Sequence, residues 1–160
     1  MQSINITAYR RNGFFGIPII GNISSFAIKF DTGAANTVVS IEKITGNLSD
    51  RQLSDVRRFI EGKRISPKEF RSASGHSFSA YPAYLSDVII GNCQFDRFYY
   101  YLVAEPLYDN RKIALLGDDF IDCCGFSREP HGDILIKEFD FSRYVVRHMT
   151  ISTDEILSIV

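Results

Sequence analysis

The sequence predicts a mainly β fold with one inserted helix at about residues 49–62 and short helices near the C-terminus. Three observations predict it. Most of the 160 residues fall into short apolar and β-branched runs that Gly, Asn, Asp and Ser separate. Two of these separators, Gly21-Asn22 and Gly91-Asn92, are typical of tight turns between paired strands. Sustained helical periodicity is found near residues 49–62.

The first predicted hairpin consists of Phe14–Ile20 and Ser25–Phe30, which flank Gly21-Asn22. In the second of these runs every other residue is large and apolar, the period of a half-buried strand. A β-branched run, Thr37–Ile41, follows and predicts a third strand.

A second hairpin is predicted for Ala83–Ile90 and Phe95–Ala104, around Gly91-Asn92. Further short apolar runs predict late strands at Lys112–Leu116, Ile134–Ile136 and Tyr144–Ile151.

The predicted helix has a start signal, an apolar face and a stop signal. Ser49 and Gln52 are spaced as a capping box. Apolar side chains then recur on one helical face, at Leu53, Val56, Phe59 and Ile60. Gly62 is a typical C-terminal stop. A second capping pair, Ser152 with Glu155, predicts a short C-terminal helix.

Charge and cysteine content disfavour several classes of protein. Lys and Arg number 18 and Asp and Glu 19, so the formal net charge of −1 disfavours nucleic acid as a partner. No apolar run is long enough to cross a membrane, and residues 1–11 lack a hydrophobic signal core. The cysteines Cys93, Cys123 and Cys124 are odd in number, which favours a reducing compartment. We therefore expect a cytoplasmic protein with no membrane partner.

Two segments carry the most information about chemistry. The segment Phe30–Ser40 reads FDTGAANTVVS, in which an apolar residue precedes Asp-Thr-Gly and a β-branched run follows. Asp-Thr-Gly alone is an ordinary turn, but this context makes the pattern specific. Downstream, Leu115–Ile121 reads LLGDDFI, an aliphatic pair and a glycine before a predicted short helix. There we expect Asp118 and Asp119 to cap the helix that starts near Phe120.

Together these segments resemble the signatures of the retropepsin-like aspartic proteases, in their cellular or bacterial branch. The resemblance spans about residues 14–138. It implies a closed retropepsin-like acid-protease barrel, a single domain over residues 1–160, to which the helix near 49–62 is an addition. It also implies hydrolysis of peptide bonds in a peptide or protein substrate, with no cofactor and no metal.

The resemblance assigns roles to the Asp-Thr-Gly loop. Asp31 is the expected catalytic residue, and Thr32, Gly33 and Ala34 complete the active-site loop. Two such carboxylates share a proton, and the ionised one activates a water molecule. Because the chain has one Asp-Thr-Gly, Asp31 must pair with its counterpart in a homodimer. The resemblance implies an interface of terminal strands, with candidates at Ile4–Tyr9, Ile134–Ile136 and Tyr144–Ile151.

Substrate contacts are expected from both sides of a cleft. Ala35 and Asn36 are expected to bind substrate, and a mobile flap over residues 70–78 is expected to have its tip at Ala73, Ser74, Gly75 and His76. Leu116 and Gly117 are expected at the cleft floor beside Asp31.

The sequence departs from the viral enzymes at a coordinated pair of positions. Ala35 and Asp118 stand where those enzymes often have an Asp and an Arg that pair, which favours the cellular branch. Lys29, two residues before Asp31, is either exposed or close enough to the carboxylate pair to tune it.

Other interpretations of the sequence compete with that of a protease. A retropepsin-like dimer could bind peptides, or simply dimerise, without cleaving them, although an intact Asp31 disfavours this reading. A latent enzyme is a further alternative. A zinc site is disfavoured because its candidate ligands, Asp122, Cys123, Cys124 and His131, contain no Cys-x-x-Cys pair.

Overall fold

A computed structural model describes residues 1–22, 24–46, 49–63, 65–148 and 157–158. Its strands are β1 (Gln2–Arg11), β2 (Phe14–Ile20), β3 (Ser25–Phe30), β4 (Val38–Ser40), β5 (Lys68–Arg71), β6 (Ser77–Ile90), β7 (Cys93–Val103), β8 (Ala114–Leu116), β9 (Cys124–Arg128), β10 (Ile134–Phe139) and β11 (Leu157–Ser158). Its helices are α1 (Ile41–Thr45), α2 (Asp50–Gly62), α3 (Asp118–Ile121) and α4 (Phe141–His148). Within the described ranges, no helix is both long enough and apolar enough to span a membrane.

Six of the strands close a barrel, which confirms the predicted mainly β fold. They pair in the order β6-β7-β4-β8-β3-β2, and β2 pairs again with β6. The two predicted hairpins, β2–β3 and β6–β7, form antiparallel ladders, whereas β3–β8 and β4–β7 are parallel. Fully buried aliphatic and aromatic side chains fill the interior, among them Ile17, Ile28, Phe98, Leu102 and Leu116.

A second sheet joins the N-terminal strand to two late strands. β1 pairs with β10 and with the start of β2, and β10 pairs with β9. The predicted interface candidates Ile4–Tyr9 and Ile134–Ile136 thus lie in strands that pair with each other inside one protomer. The free edge of this sheet belongs to β9, within the part of the chain that the structure describes.

The inserted helix α2 begins as predicted. Ser49 accepts a hydrogen bond from the Gln52 amide, and the Gln52 side chain accepts one from the Ser49 amide. Ile60 is buried, and Leu53 and Val56 pack against the core. Phe59 differs from the prediction, because it is 49% exposed and lies under the ammonium group of Lys63.

The strand predicted at Tyr144–Ile151 is wrong in its described part, which is helix α4 up to His148. The reason is a local cap: the Asp140 carboxylate accepts a hydrogen bond from the amide of Arg143, and its carbonyl accepts one from the amide of Tyr144. Tyr144 and His148 then bury one face of the helix. The helix predicted at Ser152–Glu155 lies outside the described residues.

Candidate active site

Asp31 lies where β3 ends, and the backbone around it holds its carboxylate in place. Its amide donates to the carbonyl of Leu116 at 3.0 Å, so the end of β8 lies directly beside it. The amide of Gly33 donates to Asp31 Oδ1 at 3.0 Å, and the amide of Ala34 donates to the Asp31 carbonyl at 3.1 Å. The carboxylate is 27% exposed. A fixed, accessible carboxylate can accept a proton from a bound molecule.

The rest of the loop is attached to the N-terminus of α3. The amides of Asp118 and Asp119 donate to the carbonyls of Ala34 and Ala35 at 2.8 and 3.3 Å. Gly117 packs so tightly on Asn36 that an added Cβ atom would lie 2.7 Å from the Asn36 nitrogen. Only glycine allows this approach, so Gly117 is required for the close packing of the loop against the start of α3.

Asp119 has a different role from the predicted helix cap. Its buried carboxylate accepts hydrogen bonds from the amide and the hydroxyl of Thr37, at 2.9 and 2.6 Å. The Thr37 hydroxyl in turn accepts a bond from the amide of Gly117 at 3.2 Å. Gly117 is the N-cap of α3, and among the described residues no side chain caps the N-terminus of that helix. Burial raises the pKa of Asp119, against the opposing effect of its hydrogen bonds to Thr37.

Replacing Asp119 by Ala is expected to lower the free energy of unfolding by about 2–4 kcal/mol, because two buried donors of Thr37 lose their acceptor. Asp119→Asn is the matched control and should lose less than half of that, since its carbonyl still accepts one bond. Urea denaturation at pH 7 measures both variants. Equal losses in the two variants would show that hydrogen bonding to Thr37 is not what makes Asp119 important.

Lys29 combines the two predicted alternatives, because its side chain is partly exposed and also lies near the carboxylate of Asp31. Its side chain is 39% exposed, and its ammonium group is 3.9 Å from Asp31 Oδ2 and 4.3 Å from the ring centre of Phe14. The neighbouring Ile28 and Phe30 are buried, as strand alternation predicts. Lys29 therefore forms a long, partly solvated ion pair with Asp31.

A hairpin faces the Asp31 loop at the predicted flap position. β5 pairs with the start of β6, and the tip is closed by bonds from the Ser72 amide to the His76 carbonyl and from the Gly75 amide to the Ser72 carbonyl. Gly75 has a φ of +86°, which other residues adopt only with strain. The tip residues Ala73, Ser74, Gly75 and His76 are exposed. The His76 ring stacks on Tyr108, with ring centres 3.6 Å apart.

The loop and the hairpin enclose a groove of about 700 Å³. It brings together most of the predicted site residues, namely Asp31, Gly33, Ala34, Ala35, Asn36, Ala73, Ser74 and His76. Thr32 is exposed beside it, and Gly75 lies at the exposed flap tip. Leu116 is buried beneath Asp31, and its neighbour Leu115 lines the groove instead. Gly117 supports Asn36 from behind.

Sequence reasoning missed several groove residues. Tyr108 and Arg111 come from the segment between β7 and β8, which has no recognisable motif. Lys68, on β5, donates a hydrogen bond to Asn36, and nothing in its sequence context indicates this contact. Of the four candidate zinc ligands, Cys123 is buried, and Nε2 of His131 lies 3.1 Å from a carboxylate oxygen of Asp133. Among the described residues, no cluster of three or more metal-ligating side chains is found.

Comparison with known proteins identifies the fold. No protein-family model and no curated protein matches the sequence. Among solved structures, the chain is similar to a retropepsin-like aspartic protease from Rickettsia conorii, with a TM-score of 0.53 and 21% sequence identity. The likeness covers 86% of this chain and 91% of that one. The chain has the retropepsin-like fold.

The retropepsin-like fold agrees with the two segments that suggested it. Asp31 follows β3, Gly117 follows β8, and the parallel pairing of β3 with β8 sets Phe30 beside Leu116. The inserted helix α2 and the capped helix α4 pack on the core, and no residue of either helix lines the groove.

Proposed function

We propose that the protein is an aspartic endopeptidase whose active unit is a homodimer with one Asp31 from each copy. The observation that carries the proposal is the fixed, accessible carboxylate of Asp31 in a groove of about 700 Å³, opposite a glycine-tipped hairpin. A groove of this size suits an extended peptide. The retropepsin-like fold supports the same conclusion.

The chemistry follows from two adjacent carboxylates. Because like charges at close range cannot both ionise readily, the pair holds one proton. The ionised member takes a proton from a bound water molecule, and this water attacks the scissile carbonyl carbon. The protonated member donates a hydrogen bond to the carbonyl oxygen. Collapse of the tetrahedral intermediate breaks the C–N bond, and a proton passes from the dyad to the leaving amine.

The free edge of β9 is our proposed contact between the two copies. Its Phe126 is 47% exposed and contacts Phe30 edge-to-face, with ring centres 5.2 Å apart. Phe30 directly precedes Asp31, so the β9 edge contacts the residue next to the candidate catalytic carboxylate. Pairing of β9 with a second β9 would cover both the unpaired backbone groups and the apolar ring. The candidates Ile4–Tyr9 and Ile134–Ile136 lie in strands that pair with each other within the protomer, so among the described residues of this sheet we favour the β9 edge.

Cleavage activity per mole of protein is expected to fall on dilution, since a monomer has half of the carboxylate pair. Replacing Phe126 by Lys should shift the monomer–dimer midpoint to at least about tenfold higher concentration, because a desolvated aromatic contact is lost. Phe59→Lys is the matched control, since Phe59 is equally exposed but lies on α2. Sedimentation velocity and a peptide-cleavage assay are run over the same concentration series. A monomer with constant specific activity would contradict the shared pair.

The experiment that tests the function itself is incubation of the purified protein with a diverse peptide library, followed by mass spectrometry of the new termini. Site-specific cleavage by the wild type and none by Asp31→Asn is the expected result. Retention of uncleaved peptides by both proteins would instead identify a peptide-binding module.

A further inference from the structure

Positive charge predominates along the groove. The cationic side chains are Lys29, Arg71 and Arg111 in its lining and Lys68 at its edge. The carboxylates in its lining are Asp31 and Asp109, and Asp109 forms an ion pair with Arg111. Lys29 in turn faces Asp31 at 3.9 Å, whereas Arg71 forms no ion pair with any residue that the structure describes.

Lys68 is held at the groove by neutral groups. Its ammonium group donates to Asn36 Oδ1 at 2.9 Å and lies 5.4 Å from the ring centres of both Phe70 and Tyr101. Among the ion pairs of the described residues, none involves Lys68. Lys68 is exposed, so water solvates its charge in the free protein. A bound peptide that covered it would displace this water, and a negative charge on the peptide would offset the cost of that desolvation.

The contact with Lys68 also sets the orientation of the Asn36 carboxamide. An ammonium group can only donate, so the atom it contacts must be the oxygen Oδ1. The nitrogen Nδ2 is then the group of this side chain that can bind a ligand, as a donor. The packing of Gly117 against the backbone of Asn36 keeps the residue in place.

The backbone carbonyls on either side of Asn36 already accept hydrogen bonds from other parts of the protein. The carbonyls of Ala34 and Ala35 accept bonds from the N-terminal amides of α3, and the carbonyl of Thr37 accepts one from the amide of Tyr101. The ammonium group of Lys68 and Nδ2 of Asn36 therefore form a local group of donors in a groove of positive charge. Such a group binds an acceptor with two oxygens and a negative charge, which is a carboxylate.

We propose that Lys68 and Asn36 form a subsite that selects an Asp or Glu side chain of the peptide substrate. This inference rests on the proposed endopeptidase function. It makes Lys68 a specificity-determining residue at the base of the flap, and it names acidic peptides as the substrate class.

The test uses randomised octapeptide sublibraries that carry either Glu or its neutral isostere Gln at one fixed position, scanned through all eight positions. At one or more positions, wild-type protein is expected to cleave the Glu sublibrary about tenfold faster, the ratio that one charge-assisted hydrogen bond supplies. Lys68→Met keeps the apolar stem over Phe70 and should lose this preference, whereas Lys68→Arg should retain it. Lys63→Met is the matched control, because Lys63 also lies over a ring but does not line the groove.

A binding measurement separates this inference from the proposed function. Immobilised Asp31→Asn protein, with and without Lys68→Met, captures peptides from the same sublibraries for quantification by mass spectrometry. Cleavage without Glu preference would overturn the subsite and leave the endopeptidase. Glu-selective capture that depends on Lys68, with no cleavage by the wild type, would overturn the endopeptidase and leave the subsite. The absence of both cleavage and Glu-selective capture would overturn the endopeptidase and the subsite together.

Discussion

Asp31→Asn protein is expected to lose peptide cleavage by a factor of at least about 1,000, the size of effect that loss of general acid–base catalysis produces. Asn is nearly the same shape and its oxygen can still accept the bond from the Gly33 amide, so the loop should persist. It can neither take a proton from water nor share one with a second carboxylate. The free energy of unfolding should therefore change by less than about 1 kcal/mol.

The loss is measured with a fluorogenic peptide chosen from the library cleavage sites, and stability is measured by urea denaturation. Asp109→Asn is the matched control, because Asp109 is the other carboxylate lining the groove and is paired with Arg111. It should keep most of the wild-type rate. Undiminished turnover by Asp31→Asn would mean that the chemistry belongs to other residues.

Gly117→Ala is expected to have the largest effect on the fold of the site. The added methyl group would overlap the backbone of Asn36, so the loop and α3 would have to separate. We expect the free energy of unfolding to fall by about 2–3 kcal/mol, as for other overpacked positions, and peptide cleavage to fall with it.

Gly62→Ala is the control for this change, because no described residue outside its own helix and its chain neighbours lies within 4 Å of its added Cβ atom, and Gly62 is the last residue of helix α2. Alanine there should leave stability unchanged or raise it by up to about 1 kcal/mol. Chemical denaturation of the two variants, with circular dichroism as the signal, gives the comparison. If Gly117→Ala is as stable as Gly62→Ala, the close packing against Asn36 does not hold the site together.

Local sequence signals correctly predicted the elements that are stabilised by residues close to them in the sequence. The turns at Gly21-Asn22 and Gly91-Asn92 join antiparallel hairpins, and Ser49 caps α2 through Gln52. The error at Tyr144 was also local, because the Asp140 cap outweighs a β-branched run that resembles a strand.

Contacts between distant residues could not be predicted in this way. The bonds from Thr37 to Asp119 and from Lys68 to Asn36 depend on how the barrel closes, which no single segment encodes. The Asp-Thr-Gly motif nevertheless indicated the position of Asp31 beside the end of β8, since the motif belongs to a fold in which those strands are parallel neighbours.

The pairing of β1 with β10 has a consequence for synthesis of the chain. Gln2 lies opposite Phe139, so β1 leaves the ribosome well before the strand with which it pairs. Until β10 has emerged, most of β1 lacks its partner and exposes apolar residues such as Ile4 and Ile6. The nascent chain therefore carries an aggregation-prone strand until β10 emerges, and chains that stop before Ile134 never cover it.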